Sequence, residues 1–316
     1  MQMGGNYAKI WVKEGETLGY LFLMLALLAG VTKGYCGKKT GNLTADIKDA
    51  MTVNVVRMVF CIFIGLILIL ASGQRGKLLP DWRSLGIMAL SGLFTSAFVV
   101  TWLLAVKRSA YLMVEVFLML GVLVPIGASA LFFGETVEAK EWIGIALLVV
   151  ATLIMCFYNN TQKQKLTLGA LVLLILCGFS NGMTDLSQKL FAKTATDIPA
   201  SVFNFYTYIF SAVILLPVLL ATEKGSVPHA YQNAKKILSK AAVFVAVMAV
   251  CLFANSFFKT LAAGYLPAAQ LYPLNQGGSL ILSSVMAAVF FKEKLTMPCV
   301  LGILTAFAGL LFINVL

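Results

Sequence analysis

The chain has 316 residues, of which 60% are hydrophobic and only 12% are charged, and its mean hydropathy is +0.92. Soluble domains average about 45–50% apolar and about 25% charged residues, so this composition excludes an ordinary soluble enzyme, a disordered chain and a disulfide-rich secreted scaffold. The net charge of +11 is spread over many short polar segments, which predicts a membrane protein with basic loops and no nucleic-acid partner.

Ten apolar segments follow one another along the chain, and each is long enough to cross a bilayer at about 20 residues per helix. They lie at residues 18–37, 50–71, 85–106, 110–133, 142–158, 168–187, 200–221, 241–260, 266–291 and 298–315. The longest polar stretch, 222–240, is too short for a soluble domain. The sequence therefore predicts an all-α membrane protein with ten transmembrane helices, here called the first to tenth spans.

An internal repeat divides these spans into two halves of five, at residues 17–158 and 165–316. The sequence FFGE at 132–135 recurs as FFKE at 290–293, and GVTKG at 30–34 aligns with GFSNG at 178–182. The other matched positions are Asn54 with Asn204, Ala105 with Ala263, Ala110 with Ala268 and Gly144 with Gly302. Because five is odd, the second half enters the membrane in the opposite direction. Inverted repeats of this kind are typical of secondary transporters.

The five-plus-five layout, Arg57 in the second span and the F-F-x-E signature followed by glycine resemble the drug/metabolite transporter superfamily. The EamA-type ten-helix branch is the most similar, and the resemblance covers almost the whole chain. It implies a central cavity lined by the first, third, fourth, sixth, eighth and ninth spans, with the fifth and tenth peripheral. The superfamily moves amino acids, sugars, nucleotide-sugars, cations and drugs, so the resemblance does not fix the substrate.

Charged residues inside the spans are the first candidates for a site, because a charge in hydrocarbon is costly and usually functional. There are five of them: Lys33, Arg57, Glu115, Asp185 and Lys259. The first three fall near one membrane face, and the last two fall near the opposite face.

Most of these charges also have a structural explanation. Lys259 and Lys33 are close enough to helix ends for their side chains to snorkel to the headgroups. Asp185 can pair with Lys189 four residues later on the same helix, and Arg57 can lock the second span to a neighbour.

Glu115 is the sharpest candidate, because a carboxylate on a short stem cannot snorkel and needs a proton or a basic partner. Lys33 or Arg57 can supply that partner. In a cavity, Glu115 can couple transport to protons or hold an ammonium group of the substrate.

Neutral polar residues complete the predicted site. Asn275 and Gln276 lie near the middle of the ninth span, where the ligand sites of inverted-repeat transporters are found. Interhelical hydrogen bonding alone is the alternative explanation for such residues. The predicted substrate-binding residues are Lys33, Arg57, Trp102, Glu115, Asn181, Asn255, Tyr272, Asn275 and Gln276.

These features predict a secondary transporter that works by alternating access without ATP, because no phosphate-binding loop is present: the segment at 34–40 lacks its spacing. The predicted cargo is a small polar organic metabolite, anionic or zwitterionic, since bases outnumber acids within the spans. We expect no catalysis, cofactor or metal ion. The expected partners are the substrate, the lipid bilayer, and protons or a counter-substrate.

Two other classes remain open, a membrane-embedded enzyme acting on lipid or isoprenoid headgroups and a receptor or assembly factor without transport. We expect a monomer or homodimer in the cell membrane (inner or plasma membrane). Orientation also stays open. Placing the N-terminus in the cytoplasm, as is usual in the superfamily, leaves eight basic residues inside and thirteen outside, whereas the positive-inside rule favours the reverse.

Overall fold

The computed structural model describes residues 4–41, 47–108, 111–161, 167–223, 226–292 and 296–314. Within these ranges the chain forms eleven α-helices and one short 3-10 helix, Gln74–Lys77, and no strand. The helices are α1 Gly4–Gly41, α2 Ile47–Ala71, α3 Trp82–Arg108, α4 Tyr111–Leu120, α5 Leu123–Phe133, α6 Ala139–Thr161, α7 Leu168–Thr194, α8 Ala200–Thr222, α9 Val227–Tyr265, α10 Ala268–Phe290 and α11 Met297–Asn314.

The helices match the ten predicted spans, with α4 and α5 together forming the fourth. In the described part of the chain, seven helical stretches are long and apolar enough to cross a membrane, and α11 is a shorter apolar helix. The α4–α5 pair counts as one of the seven, at Met113–Phe133. The chain is therefore an all-α membrane protein that crosses the bilayer several times.

The fourth span differs from the prediction because it breaks at Gly121 and Val122. Pro125 has no backbone N–H with which to bond the Gly121 carbonyl. That carbonyl accepts instead from the N–H of Val124 at 3.2 Å, in a tighter turn. The break separates α4, which carries Glu115, from α5.

Most of the polar stretch at 222–240 is helical. The Ser226 hydroxyl caps α9 by accepting from the N–H of His229 at 3.4 Å. The eighth span is therefore the apolar part of a 39-residue helix whose first turns are polar.

The two halves pack in the same way. α1 packs on α9 as α7 packs on α3, and α2 packs on α9 as α8 packs on α3. α1 contacts α10 as α7 contacts α4, while α2 with α8 and α6 with α11 pair equivalent helices. This exchange of partners is the pattern of two inverted five-helix repeats.

α7 meets the break between α4 and α5 with no side chain between the backbones. A Cβ atom on Gly178 would lie 2.3 Å from the Phe117 carbonyl oxygen, and one on Gly182 would lie 2.2 Å from that of Gly121. Glycine is the residue that permits this approach. The contact fixes the position of α4 relative to α7.

Contacts between loops define the two ends of the bundle. The "Glu135 end" contains the connections α2–α3, α5–α6, α7–α8 and α9–α10; there Lys77 pairs with Asp197 at 3.8 Å. The "Tyr35 end" is the opposite one, where α2 begins and α8 ends; there Lys48 pairs with Glu223 at 3.6 Å. Glu293 of the second F-F-x-E signature lies outside the described residues.

Candidate functional site

A polar cavity lies in the middle of the bundle, between the two halves. It is lined by α1, α3, α4, α7, α9 and α10, which are the six spans that the resemblance implies. Its volume is about 30 Å³, room for about two water molecules. The lining residues are Leu27, Gly30, Lys33, Phe98, Trp102, Glu115, Leu118, Asn181, Asn255, Lys259, Asn275, Gln276 and Ser279.

Lys33 points into this cavity rather than towards the headgroups. Its ammonium lies 5.3 Å from the centre of the Phe98 ring and 5.5 Å from that of Trp102. Cation–π contacts of this kind are stronger when the cation is desolvated, and Lys33 is buried. Snorkelling is therefore wrong for this residue.

Glu115 lies on the same cavity wall, near Lys33. Its Oε2 accepts a hydrogen bond from the Ser279 hydroxyl at 3.1 Å, which links α4 of the first half to α10 of the second. Glu115 and Lys33 lie within electrostatic range of each other, as the prediction of a basic partner requires.

Asp185 and Lys259 form a buried ion pair between α7 and α9. This pair overturns both structural explanations offered for these residues. Lys259 does not snorkel, since it is only 4% exposed, and Asp185 pairs with Lys259 rather than with Lys189. Lys259 lines the same cavity as Lys33, so the two charged groups expected near opposite faces reach one site from its two ends.

Three asparagine side chains in the cavity wall differ in their hydrogen bonds. Asn181 donates to Asp185 Oδ2 at 3.3 Å, and Asn255 donates to the carbonyl of Ala26 at 2.7 Å. Asn275 lines the cavity, and its side-chain carbonyl oxygen is buried and has no hydrogen-bond partner among the described residues. An unsatisfied buried acceptor is costly and calls for an explanation, and a solute donor would satisfy this one.

Two predicted site residues do not line the cavity. Arg57 donates to Asn54 Oδ1 at 2.7 Å, and Asn54 in turn donates to the carbonyl of Val99 at 3.0 Å. Arg57 thus braces the contact between α2 and α3. Tyr272 is buried behind the wall, where its hydroxyl donates to the backbone carbonyl of Asp185 at 2.8 Å.

The cavity is closed at the Glu135 end by a cluster of ionic contacts, here called the Glu135 clamp. Glu135 Oε1 lies 2.8 Å from Lys189 Nζ and 3.4 Å from Lys193 Nζ, and Oε2 accepts from the N–H of Ala268 at 2.9 Å. Lys189 also donates to the carbonyl of Leu266 at 2.9 Å. The clamp joins the first half to α7 and to the junction of α9 and α10.

The Glu135 carboxyl follows α5, outside the spans, and its pKa is lowered. Partial burial raises the pKa, but the hydrogen bonds from Lys189 and from the N–H of Ala268 outweigh burial. The carboxylate is therefore ionised in the clamp at neutral pH.

At the Tyr35 end the closing contacts are aromatic. Trp102 packs against Gly37 so closely that a Cβ atom there would lie 2.1 Å from the indole ring. Tyr35 stacks on Phe291 with ring centres 5.7 Å apart. Lys38 adds a hydrogen bond to the carbonyl of Val106 at 3.3 Å.

The sequence interpretation missed Phe98 and Ser279 and did not include Lys259 in the site. Each lies one helical turn from a predicted residue: Phe98 from Trp102, Ser279 from Gln276 or Asn275, and Lys259 from Asn255. Residues three or four apart share a helix face. The spacing of three or four residues from a predicted site residue was therefore the sequence signal that could have identified these three.

A closed polar cavity between two inverted halves is the arrangement by which many membrane transporters hold a solute at mid-membrane. The EamA-like transporter family matches this chain twice, at residues 17–157 and 168–315. The chain therefore belongs to the EamA-like transporter family and is a membrane transporter of the drug/metabolite type.

Comparison with solved structures gives the same fold. One crystal structure is similar with a TM-score of 0.69 and 14% sequence identity, and the match covers 95% of this chain and 98% of that one. At this identity the likeness concerns the fold alone. No curated protein matches the chain.

Proposed function

We propose that this protein is a secondary transporter of a small polar organic metabolite, anionic or zwitterionic, in the cell membrane. The observation that carries the proposal is the cavity itself. Both halves line it, and its wall carries two lysines, a carboxylate and an unsatisfied amide oxygen. Such a wall is costly in a membrane unless a polar solute binds there.

The size of the cavity supports alternating access. Small-molecule sites usually have volumes of about 300–1,000 Å³, roughly ten to thirty times the volume found here. The conformation described, with the Glu135 clamp at one end and Trp102 on Gly37 at the other, is contracted. Binding a metabolite requires the contacts at one of these two ends to separate.

Glu115 is proposed to contribute to coupling. Its carboxylate lies within electrostatic range of Lys33 in the cavity and contacts α10 through Ser279. A proton or a substrate ammonium group that binds Glu115 would weaken its attraction to Lys33. Because Glu115 belongs to the first half and Ser279 to the second, a change in the charge of Glu115 would then affect contacts in both halves.

Counterflow in proteoliposomes tests the proposal. Purified protein is first screened for metabolites that raise its melting temperature, and vesicles are then loaded with the best unlabelled compound. We expect transient uptake of the labelled compound without ATP, and reduced uptake by Asn275→Leu, which removes the unsatisfied acceptor. Protein-free vesicles are the control. Conversion of a lipid or isoprenoid headgroup without any counterflow would contradict transport and favour an enzyme.

A further inference from the structure

Hydrogen-bond donors on the cavity wall are occupied by a carboxylate of the protein itself. Lys259 Nζ pairs with Asp185 Oδ1, and Asn181 donates to Oδ2 at 3.3 Å. The side-chain amide of Gln276 lies near the same carboxylate. The three donors line the cavity, whereas Asp185 is fully buried and is not part of the lining. An ammonium and two amides that converge on a carboxylate form a site for an oxyanion.

The fold does not require this ion pair. In the repeat, Asp185 is equivalent to Gly37 and Lys259 to Thr101, so the same helix contact in the first half is made without charge. There Trp102 packs on Gly37. A buried ion pair is also weak evidence for stability, because desolvation offsets the attraction. Both arguments favour a role for the pair in binding.

The surrounding charge favours an anion. Lys259 and Arg57 both lie within electrostatic range of Lys33, and the acids in this region are Glu115 and Asp185. If the Asp185 carboxylate leaves Lys259, the cavity is left with an excess of buried positive charge. An anionic group that enters the cavity restores the balance.

We propose that Lys259, together with Asn181 and Gln276, binds the anionic group of the transported substrate, and that Asp185 occupies this site when substrate is absent. This inference rests on the proposed function and narrows its substrate class to organic oxyanions, carboxylates or phosphates. The substrate oxyanion forms the ion pair with Lys259 as Asp185 gives it up. Lys259 is thus never an unpaired buried cation, which would be strongly destabilising.

The site lies beside the Glu135 clamp. Lys189 follows Asp185 by four residues on α7, so a displaced Asp185 has a second ammonium one turn away. That ammonium holds Glu135 in the closed cavity. Competition of Asp185 with Glu135 for Lys189 would connect substrate binding to the opening of this end.

Melting curves of the protein in detergent test the inference. The probes are sodium acetate and sodium phosphate at constant ionic strength, with tetramethylammonium chloride as the cation control. The apparent affinity of a site that is occupied internally is reduced by the fraction of protein in which it is free. In Asp185→Asn we therefore expect the half-saturating concentration of the effective oxyanion to fall about tenfold or more. The probe that responds identifies a carboxylate or a phosphate.

Two further variants provide the controls. The double variant Asp185→Asn/Lys259→Gln has no unpaired charge and should lose the stabilisation by either oxyanion. Lys140→Gln removes a surface charge that pairs with Glu138, away from the cavity, and should respond as the wild type does. If Asp185→Asn does not fold, the comparison of the wild type with the double variant still tests whether Lys259 binds the oxyanion.

Retention of the anion response in the double variant, or no gain in Asp185→Asn, would overturn the inference. Its failure differs from failure of the proposed function. Counterflow of a neutral or cationic metabolite that survives Lys259→Gln would contradict oxyanion binding and leave transport intact. Oxyanion binding that depends on Lys259, in a protein without counterflow, would support the site and contradict transport.

Discussion

Replacing Gly178 with alanine should separate α7 from the break in the fourth span. The added methyl carbon would lie 2.3 Å from the Phe117 carbonyl oxygen, whereas ordinary contact begins at 3.4 Å. The two backbones must therefore move apart by about 1 Å, and neither can rotate away as a side chain could. Overpacking of this kind costs about 1–3 kcal/mol.

The same helix offers a matched control. A methyl carbon added to Gly169 would have no neighbouring atom within 4 Å, so Gly169→Ala introduces the same group in open space. Alanine is favoured over glycine in a helix by about 1 kcal/mol, so the control should melt no lower than the wild type.

Melting temperature in detergent, followed by size-exclusion chromatography of heated samples, measures the effect. We expect Gly178→Ala to melt about 5 °C below the control, from the overpacking cost and the usual dependence of melting temperature on stability. Transport should fall as well, because α4 carries Glu115 into the cavity. Equal melting of Gly178→Ala and Gly169→Ala would refute the close backbone contact.

Three further predictions concern the ends of the cavity and its carboxylate. Because the folded-state pKa of Glu135 is lowered, its contribution to stability should be present at neutral pH and lost as the pH falls through and below about 4.5. Wild type should therefore have a higher melting temperature than Glu135→Gln near pH 7, and the difference should shrink progressively as the pH falls below about 4.5; a constant difference would contradict this. Gly37→Ala should destabilise the Tyr35 end, and adding Trp102→Phe should restore melting; no restoration would argue against their contact. Glu115→Gln should lose pH-driven transport but keep exchange if Glu115 carries a proton, or lose binding if it holds an ammonium group. Unchanged activity and pH dependence would remove it from the mechanism.

The helices could be predicted from the sequence because length and hydropathy determine them, but the break in the fourth span could not. Proline is tolerated inside membrane helices when neighbouring groups satisfy the freed carbonyl. Pro217 and Pro273 lie within continuous helices, whereas Pro125 follows a break. The difference depends on α7, which packs against Gly121 and is distant in sequence.

The site was predictable in part for a similar reason. A charge within a span indicates that a partner is needed, and this reasoning identified Lys33 and Glu115. It does not identify the partner, because Asp185 and Lys259 are 74 positions apart and meet only through the packing of α7 on α9. Arg57 shows the converse: its guanidinium donates a hydrogen bond to Asn54, three residues away and outside the cavity.

The two ends of the cavity are closed by different kinds of contact, although the two halves repeat the same fold. In an inverted repeat each half can adopt the arrangement of the other. The side chains at each end therefore determine the free-energy cost of opening that end. Parting Trp102 from Gly37 exposes an aromatic surface, and a charged solute does little to lower that cost. Opening the Glu135 end separates Glu135 from Lys189, whose side chain is only 1% exposed, and a buried charge without its partner is strongly destabilising. A solute that supplies a replacement charge lowers that cost. We therefore expect the Glu135 end to be the one whose opening depends on the substrate.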